Sequence, residues 1–177
     1  MNAESLSRID GFLSSAIAEL FASHGLKLKE NEYRGQGIDV PFASTIGFTS
    51  ARLIGVLVLT IGRDLAERSL PANLREGAAS DEIIADWTGE LSNQALGRLK
   101  NRFFSAGIEI TLSTPTVFAG KELRHFSQPS AIYRSIMFEG EGSLLAEFQA
   151  DCRDDFEIGE AAPGAEDSPP EGEVMFF

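Results

Sequence analysis

The sequence predicts one α+β domain, a largely antiparallel sheet packed against long helices. Two observations predict it. Apolar residues recur at helical spacing over 6–24 and again over 81–106, while strand-like runs rich in Val, Ile, Phe and Thr are grouped between and after these segments, close enough to pair as hairpins.

In the first helix, Leu6 to His24, residues Ile9, Phe12, Leu13, Ala16, Ile17, Leu20 and Phe21 fall on one side and Gly25 closes the end. Strands are expected at Leu26 to Tyr33, Phe42 to Thr49 and Arg52 to Ile61. The last is nearly continuous in Leu, Ile and Val, as in a strand covered on at least one face. A short helix from Arg63 to Leu70 stops at Pro71, and a loop through Gly77 leads to the second long helix. Ser80 is its natural N-cap, Asp81 and Glu82 put negative charge in its first turn, and Gly107 supplies a left-handed stop after about seven turns. Strands follow at Ile108 to Leu112, Thr116 to Phe118, Ile132 to Phe138 and Leu144 to Ala150, with a hairpin link at Glu139-Gly140-Glu141-Gly142.

With 177 residues and 43% hydrophobic content, the chain suffices for one ordinary core. Its 27 acids against 15 bases, a net charge of −12, repel nucleic acid and anionic membrane surfaces. Its single cysteine, Cys152, excludes an internal disulfide framework, and neither a signal core nor a run of about 20 apolar residues is present, so a cytoplasmic protein is expected. From about Arg153 the composition shifts: residues 151–173 hold nine acids, one base, three prolines and three glycines. The expected division is a folded domain over 1–152 and a disordered acidic tail over 153–177. The tail ends in the apolar cluster Val174-Met175-Phe176-Phe177, which a purely solubilising segment does not need.

The long second helix carries the candidate site. At about 100° per residue, Asp86, Glu90 and Asn93 lie within a sector of roughly 60°. Ile84, Trp87, Leu91, Ala95 and Leu99 cluster opposite, so the three polar side chains are expected to look outward. Gly89 and Gly97 each cost the helix about 1 kcal/mol against Ala. Gly97 projects onto the polar face; either another backbone approaches there or the helix packs tightly inside its own domain.

Most familiar chemistries lack their residues. His24 and His125 are the only histidines and neither has metal-ligand spacing with Cys152 or a carboxylate pair, so no metal site is expected. There is no nucleophile elbow, no phosphate-binding Gly-x-x-x-x-Gly-Lys loop and no Gly-x-Gly-x-x-Gly after a strand. The polar line remains. A carboxylate cannot comfortably face a phosphoryl group, so Glu90 would meet a cation on a partner. A neutral carboxamide can face one: Asn93 offers an acceptor and two donors, enough to hold a water in line with phosphorus.

Asp86-x-x-x-Glu90-x-x-Asn93 fits the Asp/Ser-x-x-x-Glu-x-x-Asn signature of the CheC/CheX/FliY chemotaxis phosphatases, and its surroundings resemble CheX most. Asp81-Glu82-Ile83-Ile84-Ala85-Asp86 leads into Gly89-Glu90-Leu91-Ser92-Asn93, then Gly97-Arg98-Leu99-Lys100, and later Ser113-Thr114-Pro115-Thr116-Val117 and Gly120. The resemblance spans roughly Leu6 to Asp151 in matching order.

The resemblance implies a CheX-like fold that removes phosphate from the phospho-aspartate of a CheY-like response regulator. It gives Asn93 the role of orienting water, Glu90 that of pairing with the receiver's lysine, and Asp86 a supporting contact; Gly97, from its place on the polar face, joins Asp86 and Glu90 in the expected partner-binding set. The catalytic pair is Glu90 and Asn93. No cofactor of its own is implied, Mg2+ belonging to the receiver. CheC-like relatives carry two such helices. Here the segment Arg63 to Leu70 has Asp64 followed by Arg68 and lacks the signature, which again resembles CheX and implies a homodimer through sheet edges. A non-catalytic adaptor on the same fold is the alternative. Trp87 and Gln94 stand where relatives often have smaller or more apolar residues, and the acidic tail is not a standard part of the fold.

Overall fold

In the computed structural model, residues 3–31, 42–75, 79–120, 130–153 and 156–158 are described. The first helix, α1, runs Ala3–Ser23, and the expected apolar face is buried: Ile9, Leu13, Ala16, Ile17, Leu20 and Phe21 are all at 0% exposure. Strands β1 (Leu28–Asn31), β2 (Phe42–Thr49) and β3 (Leu53–Ile61) follow, then helix α2 (Arg63–Ser69), a 3-10 turn at Ala72–Leu74 and helix α3 (Asp81–Ser105). Strands β4 (Thr111–Leu112), β5 (Thr116–Ala119), β6 (Ile132–Gly140) and β7 (Ser143–Cys152) complete the order. Every strand pairing is antiparallel, in the order β1-β6-β7-β3-β2-β4, with β5 also pairing β2. The expected fold class is the observed one.

Both long helices stop by the same device. Gly25 (φ 77°) lets Leu26 N–H reach the Phe21 carbonyl at 2.9 Å, and Gly107 (φ 78°) lets Ile108 N–H reach that of Phe103 at 2.8 Å. Each cap consumes an N–H that a strand would need. That is why β1 begins at Leu28 rather than Leu26, and why the strand expected at Ile108 to Leu112 is reduced to Thr111–Leu112. Glu32 and Tyr33, the loop at Gly77 and His125 lie outside the described residues.

Helices α1 and α3 cover one face of the sheet, α1 over β1, β6 and β7, α3 over β2, β3 and β5. A line of rings ties the layers together. Phe12 of α1 meets Phe103 of α3 edge-on at 5.7 Å; Phe103 stacks on Phe148 of β7 at 6.1 Å; Phe148 stacks on Phe48 of β2 at 5.1 Å. The last contact reaches across β3, because Gly55 stands in the register between Phe48 and Ala150. A Cβ on Gly55 would fall 2.6 Å from the Phe48 ring and collide with the Gln149 carbonyl. Glycine therefore keeps the aromatic line closed.

The α3 N-terminus is fixed twice. Ser80 Oγ accepts from Ile83 N–H at 3.3 Å, and Arg63 of α2 pairs with Asp81, donates to the Ala79 carbonyl at 3.3 Å and lies over the Phe42 ring. At the other end of the chain, buried side chains occur beyond residue 152. Phe156 and Ile158 are 1% and 5% exposed, and Ile158 N–H donates to Ser5 Oγ at 3.1 Å. Two apolar side chains inside an acidic stretch suffice to continue the core to Ile158; residues 159–177, including the expected terminal cluster, lie outside the described residues.

Phe103 is at 0% exposure between two other rings. Phe103→Ala is expected to cost about 3–5 kcal/mol of unfolding free energy, measured by denaturant titration, because the flanking rings cannot both close on the void.

Candidate functional site

Burial of one side of α3 turns the other outward. Ile84, Leu91, Ala95 and Leu99 are at 1% exposure or below and Trp87 at 8%, while Asp86, Glu90 and Asn93 are exposed. The expected line is thus present on the surface, with Gly97 half-buried at its continuation. By the same helical projection Lys100 and Phe104 extend it toward the C-terminus and Ile83 borders its start. Phe104 is 63% exposed and Ile83 38%. Sequence reasoning missed these apolar ends, although their spacing from Asp86 and Gly97 was available.

The two helix glycines have different reasons. A Cβ on Gly89 would come 3.2 Å from Val117 Cγ2 and 3.8 Å from Pro115 Cγ, so Gly89 serves close packing between α3 and β5. A Cβ on Gly97 would meet nothing within 4 Å. Of the two readings open for Gly97, internal packing has no contact to rest on.

The C-terminal end of α1 borders the line on one side and Pro115 to Val117 on the other. Arg102 pairs with Glu19 at 2.6 Å and Arg98 donates to Ser23 Oγ at 3.4 Å. Gln94 Nε2 donates to Glu90 Oε1 at 2.9 Å, and Gln94 Oε1 lies 3.3 Å from His24 Nε2. Asn93 makes none of the hydrogen bonds found among the described residues, so its amide faces solvent with its full bonding capacity. A groove of about 560 Å³ opens elsewhere, where β2, β3, β4 and β7 meet, with Ile54, Leu112 and Asp151 in its wall; none of Asp86, Glu90, Asn93 or Gly97 lines it. Among the described residues no group of three or more His, Cys, Asp or Glu could hold a metal, and no helix is long and apolar enough to cross a membrane.

An antiparallel sheet with both long helices on one face, and polar groups displayed along one helix rather than sunk in a cleft, define an α+β domain whose candidate site is an exposed helix surface. The family profile described as chemotaxis phosphatase CheX matches residues 42–135, more than half of the chain, and the chain belongs to that family.

Solved structures agree on the fold. CheX from Vibrio vulnificus superposes with a TM-score of 0.70 at 20% identity, covering 82% of this chain and 99% of that one. A CheC-like superfamily protein from a Shewanella species gives 0.65 at 25% identity, covering 85% and 99%. A chain of the CheX-CheY-BeF3-Mg2+ complex from Borrelia burgdorferi gives 0.65 at 12% identity, covering 80% and 96%. No curated protein matches the chain significantly.

The contrast between the glycines is measurable in the isolated protein. Gly97→Ala is expected to raise unfolding free energy by roughly 0.5–1 kcal/mol, since helix propensity improves and nothing is displaced. Gly89→Ala, which must push Val117 aside, is expected to gain less or to lose stability in the same titration.

Proposed function

We propose that the chain hydrolyses the aspartyl phosphate of a CheY-like response-regulator receiver in the cytoplasm, with Asn93 entering the receiver's active site. The observation that carries this reading is the exposed Glu90–Asn93 pair on a helix anchored at both ends. The Borrelia burgdorferi complex, which joins a CheX to CheY and Mg2+, supports the partner class.

In the reaction, water attacks phosphorus, the bond from phosphorus to the aspartyl oxygen breaks, and the carboxylate and inorganic phosphate leave. Such a transition state asks for positioning above all. The neutral Asn93 amide can hold the water in line without repelling the phosphoryl oxygens, whereas Glu90, an anion, pairs with the receiver's lysine. Asp86 supports the contact from one turn earlier, and Gly97 leaves room for the receiver's backbone. Ile83 and Phe104 supply apolar contacts at the two ends of the line. Mg2+ stays with the receiver and this chain needs no cofactor. A homodimer through sheet edges belongs to the same reading. Among the described residues β1 at one edge and β4 and β5 at the other have strand neighbours on one side only, an arrangement that edge pairing would close.

The test times phosphate loss from a panel of phosphorylated receivers with and without the chain. For the responding receiver, Asn93→Ala is expected to keep affinity and lose roughly tenfold or more of the saturated rate. Glu90→Ala is expected to weaken association by about 10- to 100-fold, the worth of a charge-assisted hydrogen bond. Unchanged phosphate lifetimes across the panel reject catalysis, and retained binding with no acceleration would instead favour the adaptor.

Phe104 gives a separate check. Phe104→Ala is expected to raise the receiver concentration needed for half-maximal rate while leaving thermal stability and the saturated rate unchanged, because the ring is exposed and far from the reacting atoms.

A further inference from the structure

We infer that Gln94 and His24 are positioning residues that hold the Glu90 carboxylate ready for the receiver's lysine. The inference rests on the role proposed above for Glu90.

A Gln and a Glu four residues apart on a helix form, taken alone, a weak surface pair. This pair differs because its amide is held at both ends. Gln94 Nε2 donates to Glu90 Oε1 at 2.9 Å. A carboxylate only accepts, so the nitrogen end of the amide is committed to Glu90 and its oxygen end is turned toward α1. There His24 Nε2 lies 3.3 Å away. An amide oxygen only accepts as well, so Nε2 carries the ring proton.

His24 is in turn fixed from behind. It stands at the C-cap of α1, its ring edge-on to Trp87 with centroids 5.3 Å apart and planes at 85°. Trp87 Nε1 donates to Ser69 Oγ at 2.9 Å, and Ser69 Oγ donates to the Ala66 carbonyl at 2.9 Å; Ser69 is at 0% exposure. The line runs from the buried end of α2, through α3, across to α1, and back to Glu90 on the surface of α3. Glu90 Oε2 makes none of the hydrogen bonds found among the described residues and is left for an arriving ammonium group. The line orders a long flexible side chain before the partner arrives.

The experiment uses the full chain and the CheY-like receiver on which the wild type acts, phosphorylated by a small-molecule donor. Rate is followed against receiver concentration. Gln94→Ala is expected to raise the half-saturating concentration by about 2- to 10-fold with the saturated rate unchanged, the cost of ordering one long side chain at an interface. His24→Ala is expected to shift it in the same direction, and His24→Gln, which can offer an amide N–H near the position of Nε2, to restore it.

A double-variant cycle separates positioning from general weakening. With Glu90→Ala already present, Gln94→Ala is expected to do nothing further. A wild-type half-saturation for Gln94→Ala, or an equal loss in the Glu90→Ala background, overturns the inference while leaving the function standing. A wild-type chain that accelerates no receiver, with Glu90→Ala indistinguishable from it, removes both.

Discussion

The contact on which the site depends is the burial of Phe103 between Phe12 and Phe148. It fixes the rotation of α3 about its own axis. A helix of 25 residues resting on a sheet could still turn by a fraction of a rotation with its apolar face down; a large ring clamped on both sides fixes that angle. With Phe103 inward, Asp86, Glu90 and Asn93 must point outward. The clamp itself depends on Gly55, because Phe148 is held from beneath by Phe48 only if the intervening strand carries no side chain there. A glycine in the sheet thus governs the orientation of a surface carboxamide on a helix.

The two glycines inside α3 divide the labour of holding and meeting. Gly89 brings α3 down on β5, which fixes the height of the helix over the sheet near Glu90. Gly97 holds nothing within the molecule. A helix-weakening residue with no internal contact, in line with three exposed polar side chains, is what a surface for close backbone approach would require. Helix formation alone would have favoured alanine at both positions, and only one of them has a reason inside the fold.

Most of the fold was legible because its determinants are local. Ser80, Gly25 and Gly107 mark helix ends by their own conformational preferences, and the apolar faces of α1 and α3 follow from spacing alone. The outward direction of Glu90 and Asn93 was legible for the same reason: it is the complement of a periodic buried face. The short β4 and the late start of β1 were not, because a strand pattern says nothing about an N–H already taken by the preceding helix cap. Phe156 and Ile158 were hidden by averaging, two apolar residues in a window dominated by acids. The contact of Gln94 with His24 joins residues 70 apart in sequence and depends on how α1 crosses α3, so no local pattern could announce it.

The distribution of charge along α3 bears on how so acidic a protein could approach a phosphoryl group. Asp86 and Glu90 occupy the N-terminal half of the line and Lys100 the C-terminal half. Asn93 and Gly97 lie between them and carry no charge. Successive members of the line are about 4.5–6 Å apart along the axis, so an anion centred on Asn93 would have one carboxylate near it and no second one closer than Asp86. At an effective surface dielectric, one uncompensated carboxylate at such a distance would repel it by several kcal/mol. Pairing Glu90 with a lysine offsets that repulsion with an opposite charge. In the proposed reaction the acid and the amide are therefore interdependent: the amide can be presented to a phosphoryl group only where the neighbouring acid has already found its cation.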